Sequence, residues 1–401
     1  MTNELTSELN GELASELTSE LNGELTKIFL IRHAEAEGNL YRRAHGQMEG
    51  LVTARGYRQI GLLRERFKDE KIDAVYSSDL IRARETAKAV SEPRGLNIQT
   101  TERLREVNMG VWEDQPWGEL EYLEPRNHAN FSSDPAGWIV SGAETFEEVI
   151  ARLTDCIYDI ARRHGGETVA IVTHGFAIRA FFCGLMGFPS HEAGKVLYCD
   201  NTAVALLDYE DGSMTIRYQS DNSHLNDENS TFAHQNWWRV EKVWRSENLR
   251  YLPLEEKRDS GMIRLFDREF GTRPASETEY AAFLANKAAG MVGISANAAT
   301  QKGESAAGGE THCAAAQATE ECEDDAGRID FLYIKPEYRS MNLGVQLIGL
   351  AVSEFRRLGK EFLLVDAPPG NPAVKLCLKD GFEILEETDT LSRMRKRIRL
   401  K

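Results

Sequence analysis

Four large apolar residues stand in a row at Ile28 to Ile31, between Lys27 and the pair Arg32 and His33. So short a run, without polar alternation, predicts a strand buried on both faces. Similar runs recur in "DAVYSS", "TVAIVTH" and "TAVALLDYE", and helical periodicity marks Ala54 to Phe67 and Phe146 to Arg163. Strands alternating with helices predict an α/β sheet whose ligands gather at the carboxyl ends of its strands. In "DYEDGSMTIRY" the Asp211-Gly212 pair predicts a hairpin that closes the sheet. The polar, turn-rich "SDNSHLNDENS" is expected to end this domain.

A second α/β pattern starts near Asn248, with strands predicted in "YAAFLA", "GMVGIS", "IDFLYI", "EFLLVDA" and "RMRKRIRL" and a long amphipathic helix from about Leu343. The stretch near 296–327 is rich in Ala, Gly and Glu and has almost no large apolar residue, so it reads as a flexible surface insertion. At the start, "ELTSELNGEL" occurs twice, with leucines every fourth residue and glycines at 11 and 23. That predicts an acidic extension over 1–26, helical or disordered, that is able to self-associate. The expected division is therefore 1–26, a first domain at 27–226, a connecting segment at 227–247, and a second domain at 248–401. Trp237, Trp238 and Trp244 crowd the connector, a density that suits packing at a domain seam better than ligand binding.

With 401 residues and a net charge of −16, the chain suits two domains and argues against nucleic acid as its main partner. No stretch has the apolar length to cross a bilayer, and the N-terminus lacks the pattern of a secretory signal. The six cysteines form no CxxC pair, and His312, Cys313 and Cys322 do not make a usual zinc spacing. A reduced cytoplasmic protein is the expectation.

Chemistry enters with the partners of His33. "SSDLIRARETA" puts Arg82 just past a strand, "LREVNMGVWE" puts Glu106 in a loop, and "VAIVTHG" sets His174 at the end of another apolar strand. Paired guanidinium groups clamp the oxygens of a phosphate monoester, a neutral imidazole attacks phosphorus, and a carboxyl group of raised pKa protonates the departing oxygen. Positioning and charge neutralisation carry most of such phosphoryl transfer, so no metal is required. His128, His164, His191, His224 and His234 have no comparable company, and surface or packing roles are expected for them.

"LIRHAEAEGN", with Ala34 where glycine is usual, resembles the signature of the histidine phosphatase (phosphoglycerate mutase-like) superfamily. The resemblance runs through "GQMEGLVTARGYRQI", "SSDLIRARETA", "LREVNMGVWE", "SGAETFEEVIARL" and "VTHG", from about Lys27 to Leu225. It implies a three-layer α/β/α domain in which His33 is the nucleophile, Arg32, Arg82 and His174 hold the phosphate, and Glu106 is the proton donor. Asn39 and the Gly175 backbone are implied to assist. A surface or packing role is expected for His45 too, although its place after the phosphate loop also makes it a candidate to line the substrate pocket. The compact run from Glu106 to "SGAET" resembles the phosphatase branch; a phosphoglycerate mutase with an accessory domain is the alternative.

"YIKPEYRSMNLGVQL" resembles the pyrophosphate-binding turn of GCN5-related N-acetyltransferases (GNAT), with Arg339, Asn342 and Gly344 at the motif positions. Asn stands for the first glycine, and Asn tolerates positive φ better than other non-glycine residues. The resemblance implies a GNAT-fold α+β domain that binds acetyl-CoA along Ile334, Met341, Leu343 and Val345 as well as those three. Downstream, "NPAVKLCLKDGF" supplies Asn371 and Cys377, the latter where a proton-donating tyrosine is usual. Asp330 is a candidate base. A small-molecule phosphatase fused to an N-acetyltransferase with an unknown amine acceptor is the leading expectation; a phosphatase with a non-catalytic CoA-binding regulatory domain is the other.

Overall fold

The computed structural model describes residues 24–235, 237–238, 247–270, 274–296, 325–339 and 341–399. The repeat before residue 24, Trp244, and the insertion with His312, Cys313 and Cys322 lie outside them. Among the described residues the helices are α1 (Glu37–Tyr41), α2 (Ala54–Arg66), α3 (Ile81–Ser91), α4 (Trp117–Leu123), α5 (Pro125–Ser133), α6 (Phe146–Arg163), α7 (Gly175–Met186), α8 (Glu256–Phe270), α9 (Leu343–Arg357) and α10 (Pro372–Lys379). Contacts divide the chain into two compact units, one of Met1–Glu35, Arg55–Val111 and Arg126–His234, the other of Ala36–Ala54, Trp112–Pro125 and Gln235–Lys401.

The first unit is built on β1 (Thr26–Arg32), β2 (Ala74–Ser77), β3 (Ile98–Thr100), β4 (Thr168–Thr173), β5 (Val204–Glu210) and β6 (Ser213–Asp221), in the spatial order β3-β2-β4-β1-β5-β6. The first four of these in space run parallel, and β5 and β6 return antiparallel. As expected from their continuous apolar runs, Ile28, Leu30, Ile31 and Val169 to Val172 are buried. The β5–β6 hairpin turns on Asp211 and Gly212, both at positive φ. Helix α6 starts where Thr145 and Glu148 form a capping box.

The first unit runs to His234, a few residues past the expected boundary at 226, and the polar segment after β6 is built into it. Asn229, Ser230, Thr231 and Phe232 are buried. Ser230 Oγ donates to Asp200 at 2.6 Å, Thr231 Oγ1 donates to Glu35 at 3.0 Å, and Gln59 Nε2 donates to the Asn229 carbonyl at 2.7 Å. Its polar residues satisfy buried groups of the unit, so their polarity does not mark exposure.

The second unit holds β7 (Leu249–Pro253), β8 (Thr278–Leu284), β9 (Lys287–Ser295), β10 (Ala326–Ile334), β11 (Phe362–Ala367), β12 (Glu383–Glu387) and β13 (Ser392–Arg397), in the order β12-β13-β11-β10-β9-β8-β7. The pairing is antiparallel except for β10 with β11. Helix α9 packs its Leu343, Leu347, Leu350 and Ala351 face into the core, together with Tyr41 of α1. Residue 349 must be glycine for this, because a Cβ there would lie 2.4 Å from the Tyr41 Cβ. The Tyr41 hydroxyl donates to Asp380 at 3.0 Å, and Arg356 pairs with Glu37 at 2.7 Å. Segment 36–54 therefore packs with the C-terminal sheet, across the expected domain division. Among the described residues no helix is long and apolar enough to cross a membrane.

Candidate active site

Strands β1 and β4 are parallel neighbours, with Arg32 opposite Thr173, so the residues that follow them emerge side by side. The His33 and His174 rings accordingly stand 5.1 Å apart, centroid to centroid. His33 Nδ1 lies 2.7 Å from the Ala34 carbonyl, which can only accept. Nδ1 therefore carries a proton, and in the neutral ring the lone pair belongs to Nε2. Ala34 is buried without positive φ, and its N–H donates to Thr86 Oγ1 at 2.8 Å. The alanine methyl is accommodated without backbone strain.

Arg32, Arg82 and His174 are buried beside these groups in the same unit. Arg32 Nη1 donates to the Cys199 carbonyl at 2.6 Å, while its Nε has no hydrogen-bond partner among the described residues. A Cβ at Gly175 would come within 3.1 Å of that Nε, so glycine there gives the guanidinium its room. Arg82 sits in the first turn of α3, next to the end of β2. The buried Arg32 guanidinium, with that Nε donor unused among the described residues, suits an anionic ligand.

Glu106 is held at the start of α7. Its carboxylate accepts from the N–H groups of Phe176 at 3.0 Å, Ala177 at 2.8 Å and Val107 at 3.0 Å. Burial pushes its pKa up, against those N–H groups and Arg82, which favour the charged form. Its loop is braced by Arg152, which donates to the Arg103 and Arg105 carbonyls at 2.9 Å and pairs with Glu144 at 2.6 Å. Asn39 and His45 belong to the second unit. Asn39 Oδ1 accepts from the Ala36 N–H at 3.1 Å, and His45 packs on Gly38 and Gly50.

The second candidate site lies at the turn from β10 to α9. Asn342 is the N-cap residue of α9 at φ 56°, ψ 22°, the left-handed geometry its replacement of glycine requires. Arg339 Nε donates to the Ile334 carbonyl at 3.1 Å and ties the turn to the strand end. Leu343 and Val345 are buried in the first turn of α9, and Met341 packs against the core. A Cβ on Gly344 would meet Leu376 Cδ2 at 2.8 Å, a flexible side-chain end. Beyond the turn, a cleft of about 170 Å³ is lined in part by Asp330, Phe331, Val365, Asn371 and Cys377. Asn371 caps α10, accepting from the Ala373 N–H at 2.9 Å. Asp330 is paired with Arg328 at 2.7 Å and accepts from Ser295 at 2.6 Å, which occupies the candidate base. Burial pushes the Cys377 thiol up to about 12, with Asp380 adding to the effect and Lys396 opposing it.

A family model described as histidine phosphatase superfamily (branch 1) matches residues 28–222. The probable phosphoglycerate mutase GpmB of Yersinia pestis (strain Pestoides F) is 30% identical over 204 residues, which are 50% of this chain and 94% of that protein. The chain belongs to the histidine phosphatase superfamily. A second model, of the acetyltransferase (GNAT) family, matches residues 237–382, so a GNAT domain follows the histidine phosphatase domain. Among solved structures, Bacillus stearothermophilus YhfR is 30% identical and covers 50% of this chain and 100% of its own, with a TM-score of 0.49. The phosphoglycerate mutase from Bacillus anthracis str. Sterne is 26% identical, covering 51% and 97%, with a TM-score of 0.45.

The histidine phosphatase domain uses further residues that motif reading did not single out. Asn201 Nδ2 donates to the His33 carbonyl at 2.9 Å, and the Thr202 N–H donates to the Arg32 carbonyl at 3.2 Å. Glu35, the residue after the Arg32–His33–Ala34 run, is buried and pairs with Arg55 at 2.8 Å. Their one-dimensional signal is weak, since "CDNTA" reads as an ordinary polar turn before a strand.

Proposed function

We propose that the first unit is a phosphomonoester hydrolase that works through a phosphohistidine. His33 Nε2 attacks phosphorus in line as the P–O ester bond breaks, and the bonding pair leaves on the ester oxygen. Glu106 gives that oxygen its proton. Water then attacks the phosphoryl group while the Glu106 carboxylate takes its proton, the N–P bond breaks, and His33 is regenerated with release of phosphate. Arg32, Arg82 and His174 neutralise the phosphoryl oxygens, and the Gly175 backbone completes that wall. The observation that supports this reading best is the His33 Nδ1–Ala34 carbonyl contact of 2.7 Å, which engages Nδ1 and favours Nε2 as the attacking atom. The substrate is a small phosphate ester.

The second unit, in this reading, binds acetyl-CoA through Arg339, the backbone N–H groups of residues 341–345 and the downstream Asn371. The residues fit that ligand, because Asn342 keeps the left-handed turn that exposes those N–H groups. When bound, the cofactor supplies an activated acetyl group. Cys377 is a poor proton donor, because a thiol at about 12 releases its proton reluctantly to a thiolate of ordinary pKa, roughly 8.5. That favours binding over rapid transfer.

Two measurements test these readings. Wild-type protein quenched with a phosphomonoester substrate is expected to carry acid-labile phosphate, and His33→Ala to carry none. Hydrolysis that survives the loss of His33 removes the mechanism. Calorimetry is expected to detect acetyl-CoA binding by the wild type and none by Gly344→Val, whose branched side chain blocks approach to the turn. A wild-type chain without binding removes the cofactor from the second unit.

A further inference from the structure

Thr202 is buried and has φ +60°, a left-handed conformation that is rare for any L-residue and rarest for a β-branched one. Such outliers persist where the surroundings over-determine them. Here the turn around Thr202 grips the Arg32–His33 pair at several points. The Thr202 N–H donates to the Arg32 carbonyl at 3.2 Å, and the Arg32 N–H donates to the Ala203 carbonyl at 3.1 Å. Asn201 Nδ2 reaches the His33 carbonyl at 2.9 Å, and the Cys199 carbonyl takes Arg32 Nη1 at 2.6 Å. An ordinary backbone conformation at residue 202 would turn its N–H away from Arg32.

What holds the unfavourable conformation is a directed chain of hydrogen bonds. The Thr202 hydroxyl donates to the Asn201 carbonyl at 2.7 Å, which uses its one proton. Its contact of 3.1 Å with His224 Nε2 must therefore run the other way, with Nε2–H donating to the hydroxyl. His224 Nδ1 is then an acceptor, and it faces Arg66 Nη1 at 3.2 Å, a donor. Arg66 is itself fixed by Asp221 at 2.6 Å. The tautomer of His224 is thus set from behind, and every proton in the chain has one assignment.

We propose that Thr202 and His224 are positioning residues that hold the Arg32–His33 peptide in register for phosphoryl transfer. This goes beyond the phosphohistidine reading and rests on it. Neither residue touches the phosphate; each acts through the backbone that aims the nucleophile and the Arg32 clamp. His224 lies on the segment after β6, so that polar segment becomes part of the machinery of the site.

The test is rapid-quench phosphoenzyme formation and steady-state kinetics on the full chain, with melting temperatures measured in parallel. Thr202→Val keeps the shape and removes the hydroxyl. It is expected to slow phosphoenzyme formation by about ten- to a hundredfold, the scale of a misplaced reacting group, with KM nearly unchanged. Thr202→Ser restores most of the rate. His224→Ala moves the rate in the same direction, His224→Gln recovers part of it by supplying a donor, and the Thr202→Val/His224→Ala double variant is no slower than Thr202→Val alone. A general loss of fold would lower the melting temperature and would not give this pattern. Wild-type rates in His224→Ala, or additive losses in the double variant, overturn the proposal even if Thr202→Val proves unstable. A wild-type chain that turns over without acid-labile phosphate overturns the phosphohistidine reading, and this proposal with it; a phosphoenzyme formed at equal rates in wild type and variants overturns the positioning role alone.

Discussion

In the proposed mechanism, the proton on Glu106 decides which esters the site can cleave. Burial raises its pKa from the ordinary carboxylate range, so the neutral acid persists to higher pH than in water. The sign follows directly: a donor must be protonated, so turnover of poor leaving groups falls as pH rises through that raised value. Glu106→Gln is expected to slow hydrolysis of alkyl phosphates by roughly 10²- to 10⁴-fold, the usual contribution of a general acid, and to remove that descending limb. An activated aryl phosphate, which leaves without a proton, is expected to lose far less. Equal losses on both substrates would show that Glu106 is not the donor. At this scale the sequence exposed the groups that carry charge, because Arg32, His33, Arg82, Glu106 and His174 sit in motifs at strand ends. It hid Asn201, Thr202 and Asp200, whose roles depend on backbone geometry that no spacing encodes. Asp200, for one, accepts from the Asn201 N–H at 2.8 Å and, across thirty residues of chain, from Ser230 at 2.6 Å.

Elements with strong periodicity matched the expectation: α6 spans Phe146–Arg163, and α9 begins at Leu343. The strands that escaped reading are edges. The three residues of β3 are largely exposed, and all of β12 is exposed. Edge strands carry mixed or polar residues, so the apolar signal that revealed β1 and β4 is absent from them. The segment after β6 hides its packing for the opposite reason, since its polar side chains bond inward. His224 gives that segment a measurable signature. Burial, with Arg66 adding its charge, pushes the imidazole down to about 4, against 6.5 for the free side chain. Between those values the unfolded chain takes up a proton that the folded chain refuses. Its contribution to stability is therefore complete above pH 6.5 and is lost as pH falls towards 4. His224→Gln is expected to flatten the fall in melting temperature over that window relative to wild type. Parallel curves for the two proteins would mean that the ring is not held neutral.

At the scale of the whole chain, the family match and the packing units divide the sequence differently. The histidine phosphatase match runs through residues 28–222, yet 36–54 and 112–125 pack with the C-terminal sheet. Charge and apolar surface both tie these segments down. Tyr41 is buried in the second core, where its hydroxyl, Asp380 and Lys396 form one group, with Lys396 at 3.0 Å from Asp380. Helix α4 packs on β7, where a Cβ at Gly118 would strike the Leu249 carbonyl oxygen at 2.5 Å. The Yersinia pestis relative, by contrast, is matched over 94% of its length within 204 residues. A fragment of this chain ending at residue 235 would keep every proposed phosphoryl-transfer group and lose the partners of Leu40, Tyr41, Glu37 and α4. Exposing one buried aromatic of this size costs about 2–3 kcal/mol, and stripping Glu37 of Arg356 removes its ion pair. Those losses compare with a total stability of roughly 5–15 kcal/mol. The fragment is therefore expected to aggregate or to unfold without a cooperative transition, while the full chain melts cooperatively. Adding Tyr41→Lys and Leu40→Glu to the fragment should recover soluble protein by matching the newly exposed surface to water. A fragment that folds and turns over phosphate esters as well as the full chain, with no such changes, would show that segment 36–54 needs nothing from the C-terminal sheet.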